Sequence, residues 1–352
     1  MRKKKIAVIF GGCSPEYPVS LESAYAVISA IPQDQYAPVL IGITQAGDWY
    51  RYYGSPEKIK TDTWHLYPEQ CIPVAVSPSR SVHKLIEFHN SGLRETLLDG
   101  AFIILHGKNG EDGTVQGIFE TAGIPVIGCG TLASALCMDK VRCHRLAAEA
   151  GIRVPEAVIF DTLPAEQKLI GQVQKLSFPV FVKPVRAGSS FGVRKVQRAE
   201  ELMAAVENAF LYDSQVMVEE NIPGFEVGCA VLGTRTLTVG AVDEIELTDG
   251  FFDYQEKYTL KTSKIYMPAR IDPADARRIQ STAAQLYRIM GCAVFARVDL
   301  FFTPDQEIVF NEINTIPGFT AHSRYPNMMR GAGFSFDAVV EQILKEALDL
   351  CG

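Results

Sequence analysis

Apolar residues in this chain come in short runs that stop at glycine-rich or charged loops, and that punctuation is the tightest limit on its fold. Ile6–Phe10 ends on Gly11-Gly12, and runs at 39–44, 101–105 and 124–127 repeat the pattern. Runs of this length suit strands buried on both faces. The stretch 20–31, with Pro18 near its start, reads as a helix between the first two. The first third therefore predicts a parallel sheet with helices on its faces, and ligands at the carboxyl ends of its strands.

The remainder mixes the two element types. A helix is expected over 133–150. "FPVFVKP" and "VRKV" read as strands around a Gly/Ser loop, followed by a surface helix over 199–210 and a strand "SQVMVEENI" that runs into Pro223-Gly224. Helices are expected again over 274–290 and 336–349. The fold class is α/β with α+β parts, in three domains: 1–130 with the parallel sheet, 131–222, and 223–352.

Composition removes several functions. The 352 residues carry a net charge of −7, which argues against a nucleic-acid partner. No apolar run approaches the ~18 residues of a membrane span. "MRKKKIAVIFGG" begins like a signal peptide, but its apolar part is too short and stops at glycines. The eight cysteines form no CxxC and no zinc-type spacing, which suits a reducing, cytoplasmic setting without structural disulfides.

Several motifs carry chemistry. "GCGTLA" at 128–133 nearly makes a dinucleotide fingerprint, but the acid that follows, Glu149, falls on a helix rather than at a strand end, so a tight turn is the better account. No GxxxxGK[ST] is present. "KPVRAGSSFGV" offers another phosphate loop: glycines for close approach, Ser189 and Ser190 as donors, and Lys183 as a point charge. An ordinary polar hairpin is the alternative, although an unpaired lysine amid apolar strand residues would be costly. "ARVDLFF" puts Arg297 and Asp299 on one strand face, and "VFNEINT" does the same with Glu312 and Asn314. On neighbouring strands, Asp299, Glu312 and Asn314 would give Mg²⁺ three oxygens and leave positions for phosphates; an Arg297–Glu312 salt bridge is the plainer possibility. "LHGKNGEDGT", with His106, follows a strand as a ligand-facing loop would. Glu16 is the only acid of "GGCSPEYPVS", which on its own reads as a solvated turn.

These segments, together with "CMDK", "EKY" and "NEINTIPGFTAHS", resemble the D-alanine–D-alanine ligases of the ATP-grasp fold over nearly the whole chain. "GFFDYQEKYTLKTSKIYMPARID" is most similar to the vancomycin-resistance D-alanine–D-serine ligases. The resemblance implies ATP and two Mg²⁺ ions, with Mn²⁺ as a substitute, and an acyl phosphate that a second substrate's amine attacks. It implies that Glu16 holds the first D-alanine's ammonium and joins Ser189 and Tyr258 in a triad. Lys140, Lys183 and Lys257 would contact phosphates; Glu219, Glu220 and Ile222 would edge the adenine, and Glu226 the ribose. Asp299, Glu312 and Asn314 would hold the metals. Arg297 and the Gly318 N–H would stabilise the tetrahedral oxyanion. His106 would lie near the first substrate, and 249–269 would be a water-excluding loop. A homodimer is the family's common state.

The resemblance also sharpens the acceptor. Ligases making D-alanyl-D-alanine typically carry an apolar residue after the serine matching Ser323, whereas this chain has Arg324. A pocket built to hydrogen-bond a hydroxyl can reject the analogue lacking it. Arg324 would reach the D-serine hydroxyl directly or through a neighbour, with Asp243 and Phe252 shaping the same pocket; a structural ion pair is the alternative. Tyr258 in "EKY" suits an amine acceptor rather than D-lactate. Cys13, Pro15 and Pro18 depart from the usual first motif, which keeps Glu16 and Ser20. A non-catalytic ATP-binding relative would be expected to lack residues such as Arg297 or Asp299.

Overall fold

The computed structural model describes residues 2–247 and 263–349. Its strands form three sheets. The first contains β1 (Lys4–Gly11), β2 (Tyr36–Ile43), β3 (Trp49–Tyr52), β4 (Cys71–Val76), β5 (Lys84–His89), β6 (Gly92–Leu97) and β7 (Gly100–Ile103), in the order β6-β5-β4-β3-β2-β1-β7. Only β1–β2 and β1–β7 are parallel. The parallel sheet expected from the sequence is present at β1, β2 and β7, and β2 to β6 extend it as an antiparallel meander that was not expected. The physical reason lies in the connections. Asn90-Ser91 alone joins β5 to β6, and two paired strands with so short a link run antiparallel.

Two expectations are corrected. Residues 124–127 are not a strand; a single bridge joins Ala101 to Val126. Pro125 has no N–H to extend a ladder, and only its carbonyl is used, by the Ala101 N–H at 2.8 Å. The helix over 133–150 is two helices, Thr131–Met138 and Lys140–Glu149, broken at Asp139, whose ψ is 94°. Asp139 caps the second helix by accepting the Arg142 N–H at 3.0 Å. The break puts Lys140 at a helix start, facing the Gly/Ser loop. The first helix runs Tyr17–Ala30, the expected 199–210 helix is a 3₁₀ turn followed by Leu202–Ala209, and the last two expected helices are found at Pro273–Ile289 and Phe336–Asp349.

The second sheet holds β8 (Ala157–Phe160), β9 (Val180–Pro184), β10 (Arg194–Val196) and β11 (Val216–Glu220), in the order β10-β9-β11-β8. The third holds β12 (Phe225–Leu232), β13 (Thr238–Leu247), β14 (Ser263–Tyr266), β15 (Phe295–Phe302) and β16 (Ile308–Asn314), in the order β14-β13-β12-β15-β16. Both are antiparallel.

One core cluster fixes the first sheet to the third. Phe102 of β7 meets Phe295 of β15 edge-on at 6.0 Å, and Phe295 meets Phe319 at 5.6 Å, all three rings being buried. Burial of each such ring contributes roughly 1.5–3 kcal/mol. This contact holds the loops after β1 and β7 against the turn that follows β16. All seven cysteines among the described residues are free, and no described helix is long and apolar enough to cross a membrane.

Candidate active site

A cavity of about 340 Å³ opens where the three sheets converge. Glu16, His106 and Glu111 come from the first, Lys140 and Ser189 from around the second, and Arg297, Glu312, Asn314, Gly318, Ser323 and Arg324 from the third. A larger hollow near Lys4, Arg80 and His83 contains none of the expected site residues.

On the first wall, Glu16 is buried rather than solvated, and the Ser189 hydroxyl donates to it across 173 positions of sequence. This brings together two members of the expected triad; Tyr258, Lys257 and Phe252 lie outside the described residues. Ser189 and Ser190 both adopt left-handed backbone, with φ of 46° and 58°. That conformation is uncommon for serine and tends to persist where surrounding contacts enforce it. Gly107, at φ 69°, leaves room for the acid, since a Cβ there would sit 2.4 Å from Glu16 Oε2.

His106 is held at both ring nitrogens. Nδ1 lies 3.0 Å from the Ile316 carbonyl and Nε2 lies 3.4 Å from Ser23 Oγ. A carbonyl only accepts, so Nδ1 carries the proton. Burial lowers the imidazole pKa to about 4, and the Arg297 charge works in the same direction. His106 is therefore neutral near pH 7.

Glu111 was not singled out from the sequence, although it stands in the quoted loop motif. Its carboxylate accepts the Gly107 N–H at 2.8 Å. Burial and the nearby Glu16 charge raise its pKa to about 8. A raised folded pKa means that the folded protein keeps a proton the unfolded chain has released. That stability is present below pH 4.5 and lost as pH rises to about 8. Glu111→Gln mimics the neutral acid and does not titrate. The wild-type melting temperature should therefore fall relative to the variant's across this window; parallel pH curves would contradict the assignment.

The second wall carries the residues expected to hold a nucleotide. Lys183 of β9 is buried and paired with Glu219 of β11, so the ammonium is not the costly orphan a bare strand lysine would be. Glu219 Oε2 is itself buried without a hydrogen-bond partner. A buried acceptor lacking a donor is unfavourable, and a purine's exocyclic amine is the donor such a position fits. Lys140 Nζ reaches the Ala187 carbonyl of the Gly/Ser loop at 2.8 Å. Glu220 accepts the Glu156 N–H at 2.9 Å, and Ile222 is buried nearby in sequence.

The third sheet brings the acids together. β15 and β16 are neighbours, with Asp299 opposite Glu312 and Arg297 opposite Asn314. The plain alternative, an Arg297–Glu312 bridge, is replaced by a forked pair on one strand: Arg297 reaches Asp299 at 2.8 and 2.6 Å. Asn314 Nδ2 donates to Asp299 at 2.8 Å. Among the described residues no group of three His, Cys, Asp or Glu side chains is arranged to hold a metal. Mg²⁺ does not require one, because it is commonly held by one or two carboxylates plus substrate phosphates. Two facing acids and an amide fit that donor set.

Arg324 starts the helix Arg324–Gly331, which was not expected, although Ser323 as cap and Pro326 in the first turn are its signals. Its guanidinium is buried. It meets Asp243 through two bonds of 2.8 Å, donates to Glu226 at 2.8 Å and lies 3.3 Å from Asp299. The ion-pair alternative therefore describes Arg324 in this structure. Glu226, expected at the ribose, is its partner here. Ser323 Oγ accepts the Thr320 N–H at 3.0 Å.

Family models described as the D-ala D-ala ligase N-terminus and C-terminus match residues 5–129 and 146–345. The chain belongs to the D-Ala-D-Ala ligase family. As a member it is an ATP-dependent ligase that uses a divalent metal, and the ATP-grasp architecture agrees with solved ligases. The ligase is similar to VanG D-Ala:D-Ser ligase of Enterococcus faecalis, a solved structure with 56% identity, TM-score 0.91 and coverage of 98% of this chain and 100% of that one. It is 44% identical to vancomycin C-type resistance protein VanC2 of Enterococcus casseliflavus, over 97% of both chains. It is 37% identical to D-alanine–D-alanine ligase A of Escherichia coli, over 99% of this chain and 97% of the other.

Proposed function

We propose that this ligase joins D-alanine to D-serine with ATP and Mg²⁺, through a D-alanyl phosphate, and so supplies peptidoglycan precursors that bind vancomycin weakly. The observation that carries the reading is the buried Arg324–Asp243 pair beside the cavity, supported by the similarity to a D-Ala:D-Ser ligase. A guanidinium already held by acids offers a polar, fixed wall to the acceptor side chain. D-Serine's hydroxyl gains a polar environment there, whereas D-alanine's methyl group gains nothing. The fixed pair acts on the hydroxyl as a dipolar surface or through an intervening neighbour.

Other residues have assigned tasks under this reading. Glu16 receives the first substrate's ammonium, with Ser189 and Tyr258 closing over it, and neutral His106 packs nearby without repelling that ammonium. Lys140, Lys183, Lys257 and Ser190 hold phosphate; Glu219, Glu220, Ile222 and Glu226 line the nucleoside; Asp299, Glu312 and Asn314 hold Mg²⁺. The metal, when bound, neutralises charge on the phosphates. Arg297 and the Gly318 N–H face the oxygen that becomes negative when the amine attacks. Phe252 belongs to the acceptor pocket, and the closing loop expected over 249–269 is limited by strand β14, Ser263–Tyr266, to the stretch before it. The domains are 1–130, 131–222 and 223–352, and the enzyme works in the cytoplasm as a homodimer.

Steady-state phosphate release tests the acceptor: D-alanine alone is varied over its full concentration curve to give its second-site KM, and D-serine is then varied at a fixed low D-alanine concentration. The second-site KM should be at least about tenfold lower for D-serine than for D-alanine. Equal values would favour a D-alanine–D-alanine ligase.

A further inference from the structure

The third sheet carries one row of facing residues across four strands: Asp243 on β13, Gly228 on β12, Asp299 on β15 and Glu312 on β16. Three are acids and one has no side chain. Arg324 fills the space above the glycine. A Cβ built on Gly228 would stand 2.3 Å from Arg324 Nη2, 2.6 Å from Met328 Cε and 2.7 Å from Asp243 Oδ1. The Gly228 N–H also donates to Asp243 Oδ1 at 2.9 Å, fixing the acid that holds the guanidinium.

We propose that Gly228 is a specificity-determining position of this ligase: its missing side chain is the notch in which Arg324 stands between Asp243, on the acceptor side, and Asp299, on the metal side. The proposal rests on the D-serine reading above and adds a residue to it. Gly228 does not adopt left-handed backbone, so alanine is tolerated by the main chain and its cost is steric. The crowded groups have little freedom. Asp243 and Met328 are fully buried, and Arg324 is pinned by three bonds of 2.8 Å. The group that can leave is the guanidinium, at the far end of a long side chain. Leaving removes the polar wall; it also takes a bond from Glu226, so the KM for ATP is expected to rise as well, while the product ratio reads the acceptor alone. Gly228 is a positioning residue in this sense, acting on the acceptor through Arg324.

The test is a double-mutant cycle read as a product ratio. Wild type, Gly228→Ala, Arg324→Leu and the double variant are each given ATP, Mg²⁺, D-alanine and equimolar D-serine, and the two dipeptides are separated by mass. Gly228→Ala should lower the ratio of D-alanyl-D-serine to D-alanyl-D-alanine by at least about tenfold. In the Arg324→Leu background the same change should leave the ratio within about twofold, because interacting sites are not additive. A merely structural glycine would lower both products together. An unchanged ratio in Gly228→Ala, or the same effect in both backgrounds, overturns the notch while leaving the D-serine reading intact. An unchanged ratio in Arg324→Leu overturns both. If Gly228→Ala alone does not fold, recovery of soluble enzyme in the double variant supports the clash with Arg324, and failure of the double variant where Arg324→Leu alone folds overturns it.

Discussion

Replacing Arg297 with glutamine is expected to lower turnover by about 10²–10³-fold, the range for removing one donor aimed at a developing oxyanion. Arg297 lines the cavity opposite Asn314, and its orientation is set by the fork it makes with Asp299. Glutamine keeps a hydrogen-bonding end but loses the charge and the fork. The loss should appear in kcat, while the KM for the first D-alanine changes little, because the interaction strengthens only as the oxygen becomes negative. Phosphate release at saturating substrates checks this. A loss of less than about tenfold would place Arg297 in a structural pair with Asp299 rather than in the chemistry.

The second large effect belongs to Arg324→Leu, and it has two parts. Selectivity should move from D-serine towards D-alanine by at least about tenfold. Stability should also fall by roughly 3–5 kcal/mol, because Asp243 would remain buried without its counter-charge. Asp243 is fully buried, and the guanidinium makes both of its forked bonds. The two parts separate in the double variant Asp243→Leu/Arg324→Leu, which removes the stranded acid. It should recover most of the lost denaturation midpoint while keeping the altered selectivity. Recovery of D-serine preference along with stability would show that the pair only supports the fold.

Local chemistry in the sequence reached much of this site. Alternation along two short strands placed Asp299, Glu312 and Asn314 on one face, and the structure pairs those strands in register. The Gly/Ser loop lies beside Lys140 and Glu16. What escaped depended on long-range contacts. The resemblance put Arg324 and Asp243 in one pocket, with an ion pair as the alternative for Arg324. No local pattern encodes that its partners are Asp243 and Glu226, across 81 and 98 positions. Gly228 carries no chemistry of its own, so its importance shows only once the neighbouring strands are in place. Glu111 looked like one polar residue of a loop until burial beside Glu16 set it apart. In the fold, β5 and β6 carry no long apolar run to announce them: "KLIEFH" buries Leu85 and Glu87 on one face and leaves Ile86 and Phe88 on the more open one, so burial alternates where hydrophobicity does not. The break at Asp139 was missed because a helix cap in mid-run looks like one more polar residue on a helix surface.

The central claim is the choice of acceptor, and competition tests it most directly. Wild-type enzyme with ATP, Mg²⁺, D-alanine and equimolar D-serine near neutral pH should yield mainly D-alanyl-D-serine by mass. A mixture dominated by D-alanyl-D-alanine would contradict the account of Arg324 and leave an enzyme of the same family and architecture with the ordinary acceptor.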